Sequence, residues 1–387
     1  MVRRRRRETT RRADMVLPTL DSSPSGLMSV DRRDFVKVCS MAAAAVGLPA
    51  EAAAKFAENA AQGLKPSVIW LHNQECTGCT ESLLRTHHPA VDELILDLIS
   101  LDYHETLMVA AGHQAEEVRR ATMEEHKGSY ILVIEGAIPM KEDGIYCKIG
   151  GQTSIELVRE VAEHAGAIIA IGSCASWGGI PSAAPNPTGA VGAPTLLEGK
   201  TVVTIPGCPS NPYNFLGVAL QYATFGTLPE LDALARPKFA YGRVIHEHCP
   251  RRAHFDAGRF VKQFGDDGHR LGWCLYEMGC KGPVTHANCS TLHFGGVDDA
   301  WPIGIGAPCF GCTEEGVGFT LGKFETVEIT DATPPSTYPP IVTQRDGPNP
   351  WATMALGGII GGAIGGGIIA AKKVSQPSED EIGLGGV

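Results

Sequence analysis

The chain has 387 residues, of which 43% are hydrophobic and 20% charged, so it is long enough for two globular domains. Its formal net charge of -10 argues against a nucleic-acid partner, because affinity for phosphate depends on clustered Lys and Arg. Twelve cysteines are too few for a disulfide scaffold and more than a typical cytosolic enzyme contains. Their positions must therefore indicate their role.

The N-terminal region has the pattern of an export signal. Residues 31–54 read "DRRDFVKVCSMAAAAVGLPAEAAA", in which paired arginines precede a mildly apolar run and then small residues. This order is typical of a secretory signal, and the arginine pair indicates the twin-arginine route, which exports folded proteins. We predict that residues 1–54 are a signal region cleaved between about 50 and 60, which would remove Cys39.

The middle of the chain alternates between strand and helix patterns. Four continuous apolar runs, typical of buried parallel strands, lie at 67–71, 130–135, 167–171 and 201–205. Helical patterns occupy 113–127 and 153–166, and another helix is expected after "NPYNFLGVALQYA". The alternation predicts a doubly wound α/β domain over residues 66–237.

Cysteines follow three of these four runs. Cys76 and Cys79 follow the first, Cys174 the third and Cys208 the fourth. Ligands of open α/β sheets bind beyond the carboxyl ends of the strands, so four thiolates should meet at one edge. Four thiolates suit zinc or an iron-sulfur cluster, and their number disfavours a thioredoxin-like redox pair.

After about residue 236 the chain becomes rich in Gly, Pro and ligand-type residues. These are His246, Cys249, Cys274, Cys280, Cys289, Cys309 and Cys312. Such a region is usually held together by what its cysteines bind, with disulfides as the alternative in an exported protein. We leave out Cys39, which lies in the predicted signal region, and Cys147, which we interpret as a packed thiol. The remaining ten cysteines and His246 make eleven ligands, which divide into groups of four, four and three.

A transmembrane anchor is predicted near the C-terminus. Residues 352–371 contain no charge over 20 residues and are followed by two lysines, which place the C-terminus in the cytoplasm. Residues 331–350 would form the linker to this anchor. A flexible Gly-rich tail is the alternative.

The ordered motifs resemble the small subunit of nickel-iron hydrogenases, in particular the exported, membrane-anchored uptake class. The motifs are "QECTGCTESLLR", "AIGSCASWGG", "IPGCPSNP", "RVIHEHCPRRAHFDAGRF", "GWCLYEMGCKGP", "NCSTLHF" and "APCFGCTEEGVGF". The resemblance covers essentially the whole chain. It implies a flavodoxin-like domain at 66–237 that binds a cluster and no flavin, then a loop-rich, cluster-stabilised domain at 238–330.

The resemblance implies two 4Fe-4S clusters and one 3Fe-4S cluster, with no catalytic residue in this chain. The proximal 4Fe-4S ligands would be Cys76, Cys79, Cys174 and Cys208. The distal 4Fe-4S ligands would be His246, Cys249, Cys274 and Cys280. The medial 3Fe-4S ligands would be Cys289, Cys309 and Cys312. Oxygen-tolerant members carry extra cysteines at positions that match Gly78 and Gly179, so oxygen sensitivity is expected here.

The resemblance also implies a function. The H2-activating Ni-Fe site would lie in a partner large subunit, and this chain would conduct electrons through the proximal, medial and distal clusters. The membrane acceptor, a b-type cytochrome or an iron-sulfur protein with a quinone-reactive membrane subunit, would feed the quinone pool. The expected location is the periplasmic face of the cytoplasmic membrane. Two heterodimers of this chain and the large subunit could associate there as a dimer.

Two other functions are the alternatives. One is the cluster-bearing subunit of another respiratory oxidoreductase, such as NADH dehydrogenase. The other is an exported binding protein stabilised by zinc or disulfides. Beside the predicted distal site, His248, Arg251, Arg252 and His254 are interpreted as a cationic patch for an acidic redox partner, or as a solvated loop.

Overall fold

The computed structural model describes residues 65–87 and 91–329. The predicted signal region, the predicted anchor at 352–371 and Cys39 therefore lie outside the described residues. Within the described part of the chain, no helix is both long enough and apolar enough to cross a membrane.

A five-stranded parallel sheet organises the first part of the chain. Its strands are β1 Ser67–His72, β2 Ser100–His104, β3 Ile131–Glu135, β7 Ala167–Ile171 and β9 Val203–Ile205. They lie in the order β2-β1-β3-β7-β9, and every neighbouring pair is parallel. Counted in chain order this is 2-1-3-4-5, the strand order of flavodoxin. The α/β prediction with a parallel sheet is confirmed.

One strand of the sheet, β2, did not stand out in the sequence. All four predicted apolar runs contain strands, but Ser100–His104 reads SLDYH and pairs only with β1 at the sheet edge. Its first three residues are only partly buried. An edge strand with this exposure does not need the continuous apolar run of a central parallel strand.

Helices connect the strands and cover both faces of the sheet. The α-helices are α1 Gly78–Leu84, α2 Val91–Glu93, α3 His113–Glu125, α4 Ser154–Ala162, α5 Gly172–Trp177, α6 Gly179–Ser182, α7 Ala193–Leu196, α8 Pro212–Phe225, α9 Lys238–Tyr241, α10 Arg252–Asp256 and α11 Asp267–Arg270. A π-helical turn spans Leu94–Leu98, and 3-10 turns span Lys141–Gly144, Ile245–Glu247, Tyr276–Met278, Gly282–Val284 and Phe294–Gly296. The remaining short strands pair as β4 Ile138–Pro139 with β8 Ala190–Val191, and β5 Lys148–Ile149 with β6 Gln152–Thr153.

Capping residues set the limits of the helices α4 and α8. The α4 helix starts with a capping box, in which Thr153 and Glu156 satisfy each other's backbone amides. The α8 helix starts where Asn211 accepts a hydrogen bond from Tyr213 N at 3.1 Å, and it ends at Gly226. This helix is formed by the "NPYNFLGVALQYA" stretch itself, not by the residues after it.

Alternate residues of each central strand enter two separate hydrophobic cores. In β1, Val68 and Trp70 pack on the face that carries α8, whereas Ile69 and Leu71 pack on the face that carries α4. Full burial of such side chains stabilises the fold by about 1.5–3 kcal/mol each. The first core continues into the C-terminal region through side chains such as Trp301, so that region packs directly on the sheet.

Residues 238–329 contain only short helical segments among loops. The α-helices of this region, α9, α10 and α11, have four or five residues each. Too few backbone groups are paired in such segments for them to be stable alone. The loops converge instead on the buried residues described next.

Candidate metal centres

The first group of cysteines (Cys76, Cys79, Cys174 and Cys208) lies beyond the carboxyl ends of β1, β7 and β9. Burial, followed by the Glu135 carboxylate, raises the pKa of Cys79 well above its usual value, and the thiolates of Cys174 and Cys208 raise it further. Burial raises the pKa of Cys174 to about 11, with Cys208 and Cys76 contributing. The four thiols are therefore electrostatic neighbours, and Cys76 alone of the four is exposed.

Tight backbone turns bring this first group together. Gly172 follows β7 with φ of 80°, and a Cβ at this position would lie 2.5 Å from Cys79 Sγ. Only glycine therefore fits between the strand end and the thiol. A Cβ at Gly78 would lie 3.1 Å from Cys76 Sγ, and one at Gly179 would lie 2.9 Å from Cys174 Sγ. Both glycines border the first group.

Glu135, at the end of β3, is a central residue of this site that the sequence patterns did not reveal. Its buried carboxylate accepts hydrogen bonds from Cys79 N at 3.1 Å, Thr80 N at 3.3 Å, Thr80 Oγ1 at 2.6 Å and Trp70 Nε1 at 3.0 Å. It thereby holds the first turn of α1, which carries Cys79. The available signal was an acidic residue that closes an otherwise apolar strand, at the edge where ligands bind.

The second group consists of His246, Cys249, Cys274 and Cys280, all buried. These side chains line one cavity with an empty volume of about 310 Å³. Burial raises the pKa of Cys249 and of Cys274 to about 12, and each of these two thiols also feels the charge of Cys280. The structure therefore brings together four side chains from three separate loops.

His246 has a neutral, buried imidazole that is suited to bind a metal or a cluster. Burial, together with the nearby Arg252 guanidinium, lowers the pKa of His246 to about 4, so the imidazole is neutral at pH 7. Its Nε2 is buried and has no hydrogen-bond partner, and its ring packs edge-on against Phe255 at 4.5 Å between centroids. A neutral imidazole beside three thiols fits a metal or cluster ligand.

The third group, Cys289, Cys309 and Cys312, lies between the other two. Burial raises the pKa of all three thiols, that of Cys289 to about 12. Cys312 interacts with the backbone and the thiol of Cys208 in the first group, and Cys309 interacts with Cys280 in the second. The three groups therefore form a series in which the third group is the middle one.

Ser173 joins the first group to the third. Its buried hydroxyl donates to the carbonyl oxygen of Cys312 at 2.5 Å and accepts from Gly207 N at 3.0 Å. These two bonds connect the loop before Cys208 with the loop of Cys312. The sequence patterns did not reveal this role, because Ser173 and Cys312 are 139 residues apart.

The eleven cysteines within the described residues are all free, so the disulfide alternative finds no support in them. In the same residues, no group of three or more His, Cys, Asp or Glu side chains is arranged to hold a single metal ion. Cys147 is half-buried and interacts with Ser154 and with the carboxylates of Glu105 and Glu75. These neighbours agree with its interpretation as a packed thiol.

The arginines of the predicted cationic patch do not form an open basic surface. Arg252 is 4% exposed and pairs with Asp256 at 3.0 Å. Arg251 is partly buried and donates to the carbonyl oxygen of Trp273 at 2.9 Å. Burial excludes Arg252 from such a surface, and the hydrogen bond of Arg251 ties it to the loops around the second group.

Two protein families match the two parts of the chain. Residues 76–222 match the family described as NADH ubiquinone oxidoreductase, 20 Kd subunit. Residues 241–325 match the family described as the C-terminal part of the NiFe/NiFeSe hydrogenase small subunit. The second match separates this chain from the NADH dehydrogenase alternative, because it covers the second and third groups.

Known proteins resemble the chain over most of its length. The Hydrogenase-2 small chain of Escherichia coli K12 is 50% identical over 353 residues, 91% of this chain and 95% of that protein. The quinone-reactive Ni/Fe-hydrogenase small chain of Wolinella succinogenes is 47% identical over 298 residues, 76% of this chain and 84% of that protein. The uptake hydrogenase small subunit of Azotobacter vinelandii is 48% identical over 287 residues, 74% of this chain and 80% of that protein.

Solved structures agree with these relatives. A chain of the reduced, active Ni-Fe-Se hydrogenase from Desulfomicrobium baculatum aligns with a TM-score of 0.63 and 35% identity, over 68% of this chain and 100% of that one. The actinobacterial-type NiFe-hydrogenase from Ralstonia eutropha H16, at 22% identity and a TM-score of 0.59 over 83% of this chain and 94% of that one, shares the fold. The chain therefore belongs to the family of nickel-iron hydrogenase small subunits, which carry iron-sulfur clusters and form part of an oxidoreductase complex.

Proposed function

We propose that this chain conducts electrons from the Ni-Fe site of a partner large subunit through three iron-sulfur clusters to a membrane acceptor. The observation that carries this proposal is the series of three ligand groups. The third group interacts with Cys208 of the first group and with Cys280 of the second. A series of this kind would supply consecutive sites for single electrons between the Ni-Fe site of the large subunit and the surface of the complex.

The proposed ligands follow the three groups. The first group would hold a proximal 4Fe-4S cluster, the second a distal 4Fe-4S cluster with one histidine ligand, and the third a medial 3Fe-4S cluster. When bound, such clusters accept and donate single electrons at potentials set by their ligands, charge, hydrogen bonds and exposure. Their ligands bind different iron atoms, so the thiols of a group need not converge on one point.

The protein contributes burial and a defined ligand charge. Burial raises the pKa of Cys249, Cys274 and Cys289 to about 12, so these thiols are protonated without iron and would release their protons when they bind it. His246 stays neutral where a cysteine would add a negative charge. A neutral ligand favours the reduced form, which raises the potential of the distal site and makes it the electron exit.

The surface around Cys76 supports a partner on the proximal side. Cys76 is exposed, and a groove with an empty volume of about 1470 Å³ runs along neighbouring residues such as Gly78, Arg85 and Pro209. A cluster ligand in contact with solvent would be open to water and oxidants. We therefore place the large subunit over this surface.

The membrane side of the proposal rests on the termini and on a relative. The twin-arginine pattern and the predicted anchor at 352–371 support a location on the periplasmic face of the cytoplasmic membrane. The Wolinella succinogenes relative is named quinone-reactive. The acceptor would be a b-type cytochrome or an iron-sulfur protein with a quinone-reactive membrane subunit.

The proposed clusters can be tested by low-temperature EPR with iron and sulfide analysis on the anaerobically purified complex of this chain with its large subunit. We expect a near-isotropic signal from an oxidised three-iron cluster that vanishes with dithionite, and interacting four-iron signals that appear. The Cys174→Ser variant should lose proximal-site iron, whereas the matched Cys147→Ser variant should keep its full iron content. A colourless complex that contains zinc would refute the proposal.

We expect H2 oxidation to be sensitive to oxygen, because Gly78 and Gly179 border the first group without adding thiols. The measurement is H2-dependent dye reduction before, during and after sustained exposure of the complex to air. Activity should fall during exposure, while an anaerobic sample held for the same time keeps its activity. Activity that persists in air would contradict the assignment of an ordinary proximal cubane.

A further inference from the structure

Lys281 is a buried cation at the junction of the second and third groups. Its residue is 0% exposed, and it directly follows Cys280. Its backbone N–H donates to the carbonyl oxygen of Cys309 at 2.7 Å. Burial of an ammonium costs several kcal/mol unless it is hydrogen-bonded, so its surroundings must compensate.

The surroundings of the Lys281 ammonium consist of four carbonyl oxygens. Nζ lies within hydrogen-bond distance of the carbonyl oxygens of Gly279 at 3.1 Å, Gly322 at 2.8 Å, Lys323 at 3.2 Å and Glu325 at 3.2 Å. An ammonium has three donors and no acceptor, so surroundings made only of acceptors favour its charged form. A neutral amine would direct its lone pair at one of these oxygens.

These hydrogen bonds fasten residues 322–325 onto the loop that carries Cys280. A Cβ at Gly279 would overlap the carbonyl carbon of Phe324, so the two backbones are in direct contact. On the other side, Thr285 Oγ1 donates to the carbonyl oxygen of Lys281 at 2.5 Å. Lys281 thus connects the Cys280 loop, the Cys309 loop and the last described segment of the chain.

The charge of Lys281 also acts on both groups. Burial lowers the pKa of Lys281, whereas the negative charges of Cys309 and Cys280, in the proposed medial and distal sites, act in the opposite direction and favour the ammonium. A buried charge is screened less by solvent and salt than a surface charge. A fixed positive charge stabilises the reduced form of a cluster, because reduction adds negative charge.

We propose that Lys281 is a positioning residue that fixes the loops of the medial and distal sites relative to each other and raises the reduction potential of both clusters. The proposal rests on the proposed function, because it requires clusters at the second and third groups. It adds a residue that ligates no iron and that raises the potentials of the last two electron sites.

The test is a redox titration of the anaerobic complex with the large subunit, followed by EPR and accompanied by iron analysis. Lys281→Met keeps the length of the side chain and removes its charge, and Lys281→Arg keeps the charge. Lys238→Met removes a positive charge from an exposed side chain of the same region. The wild-type complex must first show the three-iron and four-iron signals, and their absence would refute the proposed function instead.

With full iron, Lys281→Met should lower the medial and distal midpoint potentials and leave the proximal one unchanged. At an ambient potential equal to the wild-type medial midpoint, the oxidised-to-reduced ratio should rise about tenfold or more. Lys238→Met should leave all three midpoints unchanged. Loss of medial and distal iron in Lys281→Met, with retention and wild-type potentials in Lys281→Arg, would also support the proposal. Unchanged midpoints in Lys281→Met, or iron loss in both Lys281 variants, would overturn it.

Discussion

Replacing Glu135 with alanine is expected to destabilise the folded complex by more than about 4 kcal/mol and to reduce proximal-site iron. The carboxylate accepts from four donors, on Trp70, Cys79 and Thr80, and each buried donor left unpaired costs about 1–3 kcal/mol. Loss of these bonds releases the first turn of α1 and with it Cys79. The measurements are thermal unfolding followed by circular dichroism and iron content per complex.

The matched control for this variant is Glu163→Ala. Glu163 lies before β7, away from the carboxyl ends of the strands, its side chain is 71% exposed, and its ion pair with His164 spans 3.9 Å. A surface pair of this kind contributes about 0–1 kcal/mol, so unfolding temperature and iron content should stay near the wild-type values. Equal behaviour of the two variants would show that Glu135 does not hold the cluster loop.

Replacing Arg236 with methionine is expected to cost about 3–5 kcal/mol and to affect the medial site first. The guanidinium is buried and pairs with Asp232 at 2.7 Å and with Glu314 at 3.0 Å, and it donates to the carbonyl oxygen of Thr313 at 3.0 Å. Without it, two carboxylates are left without their cation next to the Cys312 loop. EPR should show a weakened three-iron signal, and thermal unfolding should occur at a lower temperature.

Lys238→Met provides the comparison for Arg236→Met. Lys238 lies two residues further along the chain and pairs with Glu230, but both side chains are largely exposed, at 48% and 76%. Removal of this cation should change stability by no more than about 1 kcal/mol. A three-iron signal of full intensity in Arg236→Met would contradict the role assigned to the buried pair.

Much of the fold could be predicted because its signals are local. Four of the five strands are buried along their whole length, so their apolar runs are continuous and visible without any knowledge of their partners. The strand β2 was missed because its first three residues are only partly buried, whereas β9, at the other edge of the sheet, is fully buried. The rule that ligands lie at the carboxyl ends of parallel strands then placed the first group of cysteines.

The residues that support the ligands could not be predicted in this way. Glu135 reaches Cys79 across 56 positions, and Ser173 reaches Cys312 across 139. Lys281 reaches the carbonyl oxygens of 322–325 across more than 40 positions. A contact between distant residues leaves no periodic pattern in the chain, so a buried Glu, Ser or Lys looks like any other polar residue.

The amino-acid sequence alone predicts four of the five strands and eleven ligand-type residues that divide as four, four and three, because spacing and strand burial are properties of neighbouring residues. The folded structure was needed to show that the third group lies between the first and the second, and that Arg251 and Arg252 bond to residues around the second group. These relations are not visible in the sequence because burial and electrostatic environment depend on which distant segments pack together. Those segments meet only when the loops of residues 238–329 fold against the sheet.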